Sequence, residues 1–234
     1  MTTESREHAS SSEAASSEAD APSGGRESRP LPPHFSLVRS FTPADFVTLI
    51  NAASGVCSIF SSFEYAVSGH IGYAGMAATL IVLAALADFF DGRIARRSRR
   101  SSTLGGDLDS LADLISFGVA PGCLAFGVGM SGGWDWVVLV YFVCCGLSRL
   151  ARYNVTASAL SDESGKVRYF EGTPIPTSLV LVLVLGVLLA TERVGPQLPL
   201  GVWQIGPAQL HPFVLLYFIS GSAMVSARLR VPKP

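Results

Sequence analysis

From residue 44 onward the chain is written as six apolar runs, at roughly 44–65, 71–96, 105–129, 134–154, 174–191 and 209–227. A helix of about 20 apolar residues is long enough to cross the hydrocarbon of a bilayer. The expected fold class is therefore an all-α integral membrane protein, a bundle of about six transmembrane helices. Charge agrees with this: 15% of residues are Asp, Glu, Lys or Arg, against about a quarter in soluble domains. Self-similarity of the kind that marks many transporters is absent.

The stretch before these runs is different. Residues 1–33 are rich in Ser, Glu, Ala, Gly and Pro and have no apolar periodicity. Such a segment cannot bury enough surface to offset its ordering entropy and is expected to be a disordered tail. It also lacks the apolar stretch of a cleaved signal peptide. Residues 34–42 begin HFSLVRSF, which mixes apolar and polar groups and is expected to lie along the membrane surface as a juxtamembrane segment. Residues 43–230 form the transmembrane domain.

Basic residues set the orientation. Arg39 precedes the first run, Arg93, Arg96, Arg97, Arg99 and Arg100 lie between the second and third, and Arg149, Arg152, Lys166 and Arg168 between the fourth and fifth. Arg228, Arg230 and Lys233 follow the sixth, whereas the opposite loops hold only Arg193. The positive-inside rule then puts both termini in the cytoplasm, as an even number of spans requires. Net charge, −1, hides this asymmetry, and no nucleic-acid partner is expected. The four cysteines (Cys57, Cys123, Cys144, Cys145) read as small buried hydrophobes. The four histidines lack metal-ligand spacing and read as incidental.

The strongest signal runs from Ala87 to Asp113, ADFFDGRIARRSRRSSTLGGDLDSLAD. Asp88 and Asp91 are three apart and share one helical face; Asp109 and Asp113 are four apart and share a face of the next helix. The short connection makes the two helices antiparallel neighbours, so four carboxylates converge near the cytoplasmic membrane boundary. A carboxylate within a membrane costs roughly 2.5–3.5 kcal/mol on insertion scales, and four like charges repel. Hard divalent cations prefer oxygen ligands, so magnesium, manganese or calcium suits the cluster, and two such ions could clamp a diphosphate. Gly92 and Ala95 lie on the side of Asp88 and Asp91, where small residues leave room for a ligand or let backbone approach phosphate. Gly105 opens the third span and can act likewise, and Arg96 lies one turn beyond Gly92. The bland alternative is interfacial ion pairs with helix-packing glycines. It explains one aspartate pair more readily than all eight positions. Asp107 points away from Asp109 and Asp113 and reads as a solvated first-turn residue.

These eight residues resemble the signature of the CDP-alcohol phosphotransferase family, Asp-x-x-Asp-Gly-x-x-Ala-Arg, eight residues, then Gly-x-x-x-Asp-x-x-x-Asp, with Arg97 to Leu104 as the spacer. The resemblance implies six membrane helices, two divalent metals, magnesium or manganese, a CDP-linked lipid donor and a homodimer. By it, Asp88, Asp91, Asp109 and Asp113 bind metal and Asp113 is also the general base. Gly92, Ala95, Arg96 and Gly105 then contact the CDP moiety. LDSLADLISFGVAPG (Leu108 to Gly122), GLSRLARYN (Gly146 to Asn154) and YFEGTPIP (Tyr169 to Pro176) look like the phosphatidylserine synthase branch. So does DFVTLINAASG (Asp45 to Gly55), in which Thr48, Asn51 and Gly55 match and Asp45 replaces an Asn. Thr48 and Asn51 thereby join the residues expected to bind the CDP-lipid.

L-serine is then the implied acceptor. Its carboxylate must be paired and its ammonium accepted. Arg149 and Arg152 are three apart, and either can grip a carboxylate or lipid phosphate through its planar fork; snorkelling to water is the alternative. Ser116, three residues after Asp113, is a further candidate for serine or phosphate, with helix packing as its other role. The implied reaction transfers a phosphatidyl or archaetidyl group to the serine hydroxyl and releases CMP. A sister enzyme using glycerol phosphate or inositol phosphate, which would want more basic residues, and a non-catalytic ion carrier are the competing readings.

Overall fold

The computed structural model describes residues 43–98, 103–160, 169–226 and 230–232. The expected tail (1–33) and juxtamembrane segment (34–42) lie outside the described residues, as do the side chains of Ala95 and Arg96.

Among the described residues, six apolar helices make up the fold. They are α1 (Pro43–Ser68), α2 (Ile71–Ser98), a composite α3, α4 (Gly133–Leu160), α5 (Leu179–Ala190) and α6 (Leu215–Val225). Helix α3 runs as α-helix over Thr103–Asp113, π-helix over Leu114–Val119 and α-helix again over Ala120–Val128. The first four spans are each long and apolar enough to cross a membrane, while the last two, Ile175–Ala190 and Pro212–Val225 with their 3₁₀ first turns, are shorter. An all-α membrane protein is what the apolar runs demanded, since a helix satisfies its own backbone where no water is available.

Helix boundaries follow local chemistry. Gly69, at φ +68°, ends α1 and donates its N–H to Tyr65 at 2.8 Å; a left-handed residue at that point suits glycine. The π-helical stretch precedes Pro121 by two residues, and Ala120 N–H bonds back to Ile115 O, one residue further than in an α-helix. Proline has no N–H to continue the ladder, so a widened turn on its N-terminal side is the local solution.

The side chains are sorted as a bilayer requires. Phe46, Phe60, Leu83, Val140, Leu183 and Ile219 are exposed on the outside of the bundle, where lipid is their solvent. Inside, Ala74, Ala77, Ala84, Ala120 and Ala125 are fully buried. Small residues let membrane helices approach closely, which replaces the hydrophobic drive that lipid removes. Helix α3 is the centre: 56% of its apolar window is buried, against 33%, 28% and 33% for α1, α2 and α4. It packs on α1, α2, α4 and α5. Tyr217 of α6 anchors its far half, donating to Pro121 O at 3.1 Å and meeting Phe142 edge-on.

Among the described residues, two small antiparallel pairs accompany the helices. Tyr169–Glu171 pairs with Arg230–Pro232, and Trp203–Ile205 pairs with Ala208–Leu210 across the two-residue turn Gly206–Pro207. The second hairpin lies between α5 and α6 and takes Gln209 and Leu210, which the sequence had placed in the sixth span. That span therefore starts at Pro212.

Candidate active site at the acidic end of the bundle

Three helices bring the carboxylates together at one end. Helix α2 supplies Asp88 and Asp91 a turn apart, and α3 supplies Asp109 and Asp113. One carboxylate oxygen from each of Asp88, Asp91 and Asp109 lies within 4.8 Å of the other two. Asp91 and Asp113 are buried, at 5% and 9% exposure, and Asp88 and Asp109 are half-buried. Helix α1 supplies the polar groups that hold them. Thr48 Oγ1 donates to Asp91 Oδ2 at 2.8 Å, and Asn51 Nδ2 donates to Asp113 Oδ1 at 3.3 Å. Asp45, Thr48 and Asn51 recur every third residue, so all three project from one side of α1, and all three are buried.

The donor set fits a divalent cation. It consists of carboxylate oxygens, the ligands that hard cations choose. Asp109 Oδ1 is buried and has no hydrogen-bond partner among the described residues. A buried carboxylate oxygen left so is costly unless a cation or donor reaches it.

Arg149 of α4 is half-buried, interacts through its charge with Asp113, and leaves its Nε without a partner among the described residues. Arg152, one turn on, is exposed. Gly92 and Gly105 are both half-buried. Ser116 is fully buried and donates to Asn51 O at 3.0 Å. A Cβ at Gly55 would collide with the Ser116 hydroxyl and lie 2.9 Å from Ser116 Cα. Gly55 therefore lets α1 and the π-helical turn approach, and Ser116 bonds across that contact.

The structure also holds polar links that sequence reasoning missed. Asn154 of α4 accepts from Ser110 Oγ at 3.0 Å and donates to Asp107 at 3.5 Å, a long bond, so the exposed Asp107 joins α3 to α4 at the rim. At the opposite end, Asp135 and His211 form a buried pair: His211 Nδ1 lies 2.5 Å from Asp135 Oδ2, and Asp135 also accepts from Gly132 N–H and His211 N–H, each at 2.8 Å. His211 is thus not incidental, as the lack of metal spacing had suggested; it ties the Trp203–Leu210 hairpin to the start of α4. The one signal available was an acidic residue in the first turn of an apolar span.

A membrane bundle with paired carboxylates on neighbouring helices, held by polar groups from a third, offers an oxygen-ligand site for a divalent cation. The family model described as CDP-alcohol phosphatidyltransferase matches residues 41–218, and the chain belongs to that family. Among similar proteins, the CDP-diacylglycerol–serine O-phosphatidyltransferase of Saccharomyces cerevisiae is 43% identical over 204 residues, 86% of this chain and 74% of the yeast protein. The protein of the same name from Mycobacterium tuberculosis is 32% identical over 176 residues, 73% of this chain and 54% of its own length. The archaetidylserine synthase of Methanothermobacter thermautotrophicus is 35% identical over 141 residues, 59% of this chain and 54% of its own.

Proposed function

We propose that this protein transfers a phosphatidyl group from CDP-diacylglycerol to the hydroxyl of L-serine and releases CMP, at the cytoplasmic face of the membrane it spans. The observation that carries the reading is the carboxylate cluster at one end of the bundle, with Thr48 on Asp91 and Asn51 on Asp113. Similarity to serine-specific relatives selects the acceptor. An ether-linked donor would present the same head group to the same residues.

Asp88, Asp91, Asp109 and Asp113 would hold the divalent metal, two ions of magnesium or manganese. A bound cation of this kind neutralises the diphosphate and the charge that develops on it. Gly92, Gly105, Ala95 and Arg96 line the CDP moiety. Thr48 and Asn51 serve the donor indirectly, by fixing the carboxylates they touch. Asp113 takes the proton of the serine hydroxyl with the oxygen that Asn51 leaves free. The serine oxygen then bonds to the phosphorus next to the lipid, the bond from that phosphorus to the CMP oxygen breaks, and CMP leaves. Arg149, with Arg152 at the rim, receives the serine carboxylate or the lipid phosphate. Ser116 acts through Asn51. The assembly is a homodimer, as the family resemblance implies.

The test uses purified protein with CDP-diacylglycerol, magnesium or manganese, and serine, glycerol phosphate or inositol phosphate in parallel. CMP release with serine alone is expected. Release with a phosphorylated acceptor and not with serine would overturn the assignment.

A further inference from the structure

Asn51 stands where α1 meets the carboxylates of α3 and the π-helical turn. It is 0% exposed. Its backbone carbonyl accepts from Ser116 Oγ at 3.0 Å, and its amide nitrogen donates to Asp113 Oδ1 at 3.3 Å. Its amide oxygen Oδ1 is buried and has no partner among the described residues. An ionised carboxylate can only accept, so the amide must turn its nitrogen to Asp113 and its oxygen away from it. Buried polar atoms in folded proteins nearly all find partners. An acceptor left over beside the acidic cluster is therefore matched to a donor that arrives with a ligand.

The donor's diphosphate cannot be that partner, because its oxygens also only accept. A second buried atom without a partner among the described residues has the opposite character. Arg149 Nε is a donor, on a side chain that interacts through its charge with Asp113. Among the described residues, then, the acceptor is on the residue that grips Asp113, and the donor is on a side chain whose charge faces Asp113. A zwitterion with a hydroxyl at Asp113 would present an ammonium to the first and a carboxylate to the second. In serine the ammonium and hydroxyl are borne by adjacent carbons, so a hydroxyl at Asp113 keeps the ammonium within reach of the residue that grips Asp113.

We infer that Asn51 Oδ1 accepts a hydrogen bond from the ammonium of L-serine, which makes Asn51 a determinant of acceptor specificity. This rests on the serine-transfer reading above. Asn51 acts twice: its nitrogen fixes one oxygen of Asp113, and its oxygen recognises the group that distinguishes an amino acid from other alcohols. Glycerol phosphate and inositol phosphate carry no ammonium and leave this acceptor without a charged partner.

The experiment compares L-serine with 3-hydroxypropanoate, which keeps the hydroxyl and carboxylate but lacks the ammonium. In the unsubstituted protein, the inhibition constant of 3-hydroxypropanoate should exceed the KM of serine by about 10-fold or more, the range of a hydrogen bond to a charged group. In Asn51→Ala this gap should close, serine weakening by about that factor while 3-hydroxypropanoate changes little. If the variant is too slow for turnover, calorimetry of both ligands on the CDP-lipid-loaded protein reads the same ratio. Should Asn51→Ala not fold, the comparison in the unsubstituted protein still decides, because equal constants there overturn the inference. It is equally overturned if Asn51→Ala weakens both ligands alike, which leaves Asn51 as a positioning residue for Asp113. A raised metal requirement with serine affinity intact also overturns it, since Oδ1 would then be a metal ligand. The serine-transfer reading fails separately, if the unsubstituted protein shows no serine-dependent CMP release at all.

Discussion

The two ends of the bundle both bury aspartates, and they treat them in opposite ways. At the hairpin end, Asp135 is fully buried and its oxygens are taken by two backbone N–H groups and the His211 ring. At the other end, Asp88, Asp91 and Asp109 bring oxygens within 4.8 Å of one another, and Asp109 Oδ1, Asn51 Oδ1 and Arg149 Nε are left without partners among the described residues. A satisfied buried carboxylate is architecture, because its cost is met within the fold. A cluster of like charges that leaves Asp109 Oδ1 without a partner among the described residues is retained for something that binds. Proteins tolerate such local conflicts where function needs them.

The largest effect that can break this contrast is expected at Asp113. Asp113→Asn keeps the size and one oxygen but removes the basic site. Serine-dependent CMP release should fall by at least about 10²–10⁴-fold, the usual worth of a positioned acid–base group, while much of the CDP-lipid affinity remains. Near-normal turnover at saturating serine and metal would remove Asp113 from the base role. Asp91→Asn should differ in kind, weakening metal and CDP-lipid binding together in calorimetry. A loss of turnover with both affinities unchanged would contradict its place among the metal ligands.

The opposite end should answer in stability. Asp135→Asn removes the charge facing His211 and one acceptor geometry of a fully satisfied carboxylate. Loss of one partner of a buried pair costs about 3–5 kcal/mol in strongly coupled cases, so a clear drop in the thermal midpoint in detergent is expected. KM for serine and CDP-lipid affinity, measured below that midpoint, should stay within about 2-fold, since additivity holds for distant sites. A selective loss of turnover with unchanged stability would place function at the hairpin end too. The smallest effect is expected from deleting residues 1–33, whose composition offers no chemistry; serine-dependent CMP release should be preserved in a membrane-inserted truncation.

The difference between the ends also explains what could be read beforehand. The spans were legible because a bilayer imposes a length on apolar runs, and the aspartates because helical spacing of three and four is a local pattern. Thr48 and Asn51 were reachable through family resemblance, but their hydrogen bonds to Asp91 and Asp113 cross 43 and 62 residues of chain and have no local signature. Asp135 and His211 are 76 residues apart, a lone acid and a lone histidine, and only the fold makes them a pair. The hairpin at Trp203–Leu210 has strands of three residues, too short for alternation to show; Gly206–Pro207 was its one turn signal. The π-helical turn hid inside an uninterrupted apolar run, with Pro121 as the only clue.

The central claim is that the acidic end is built around a divalent cation and the hairpin end is not. The measurement is serine-dependent CMP release from CDP-diacylglycerol by protein dialysed exhaustively against chelator, before and after magnesium or manganese is restored. The account predicts loss of release in chelator and recovery with the cation, in the unsubstituted protein and in Asp135→Asn alike. Full release in excess chelator would contradict it.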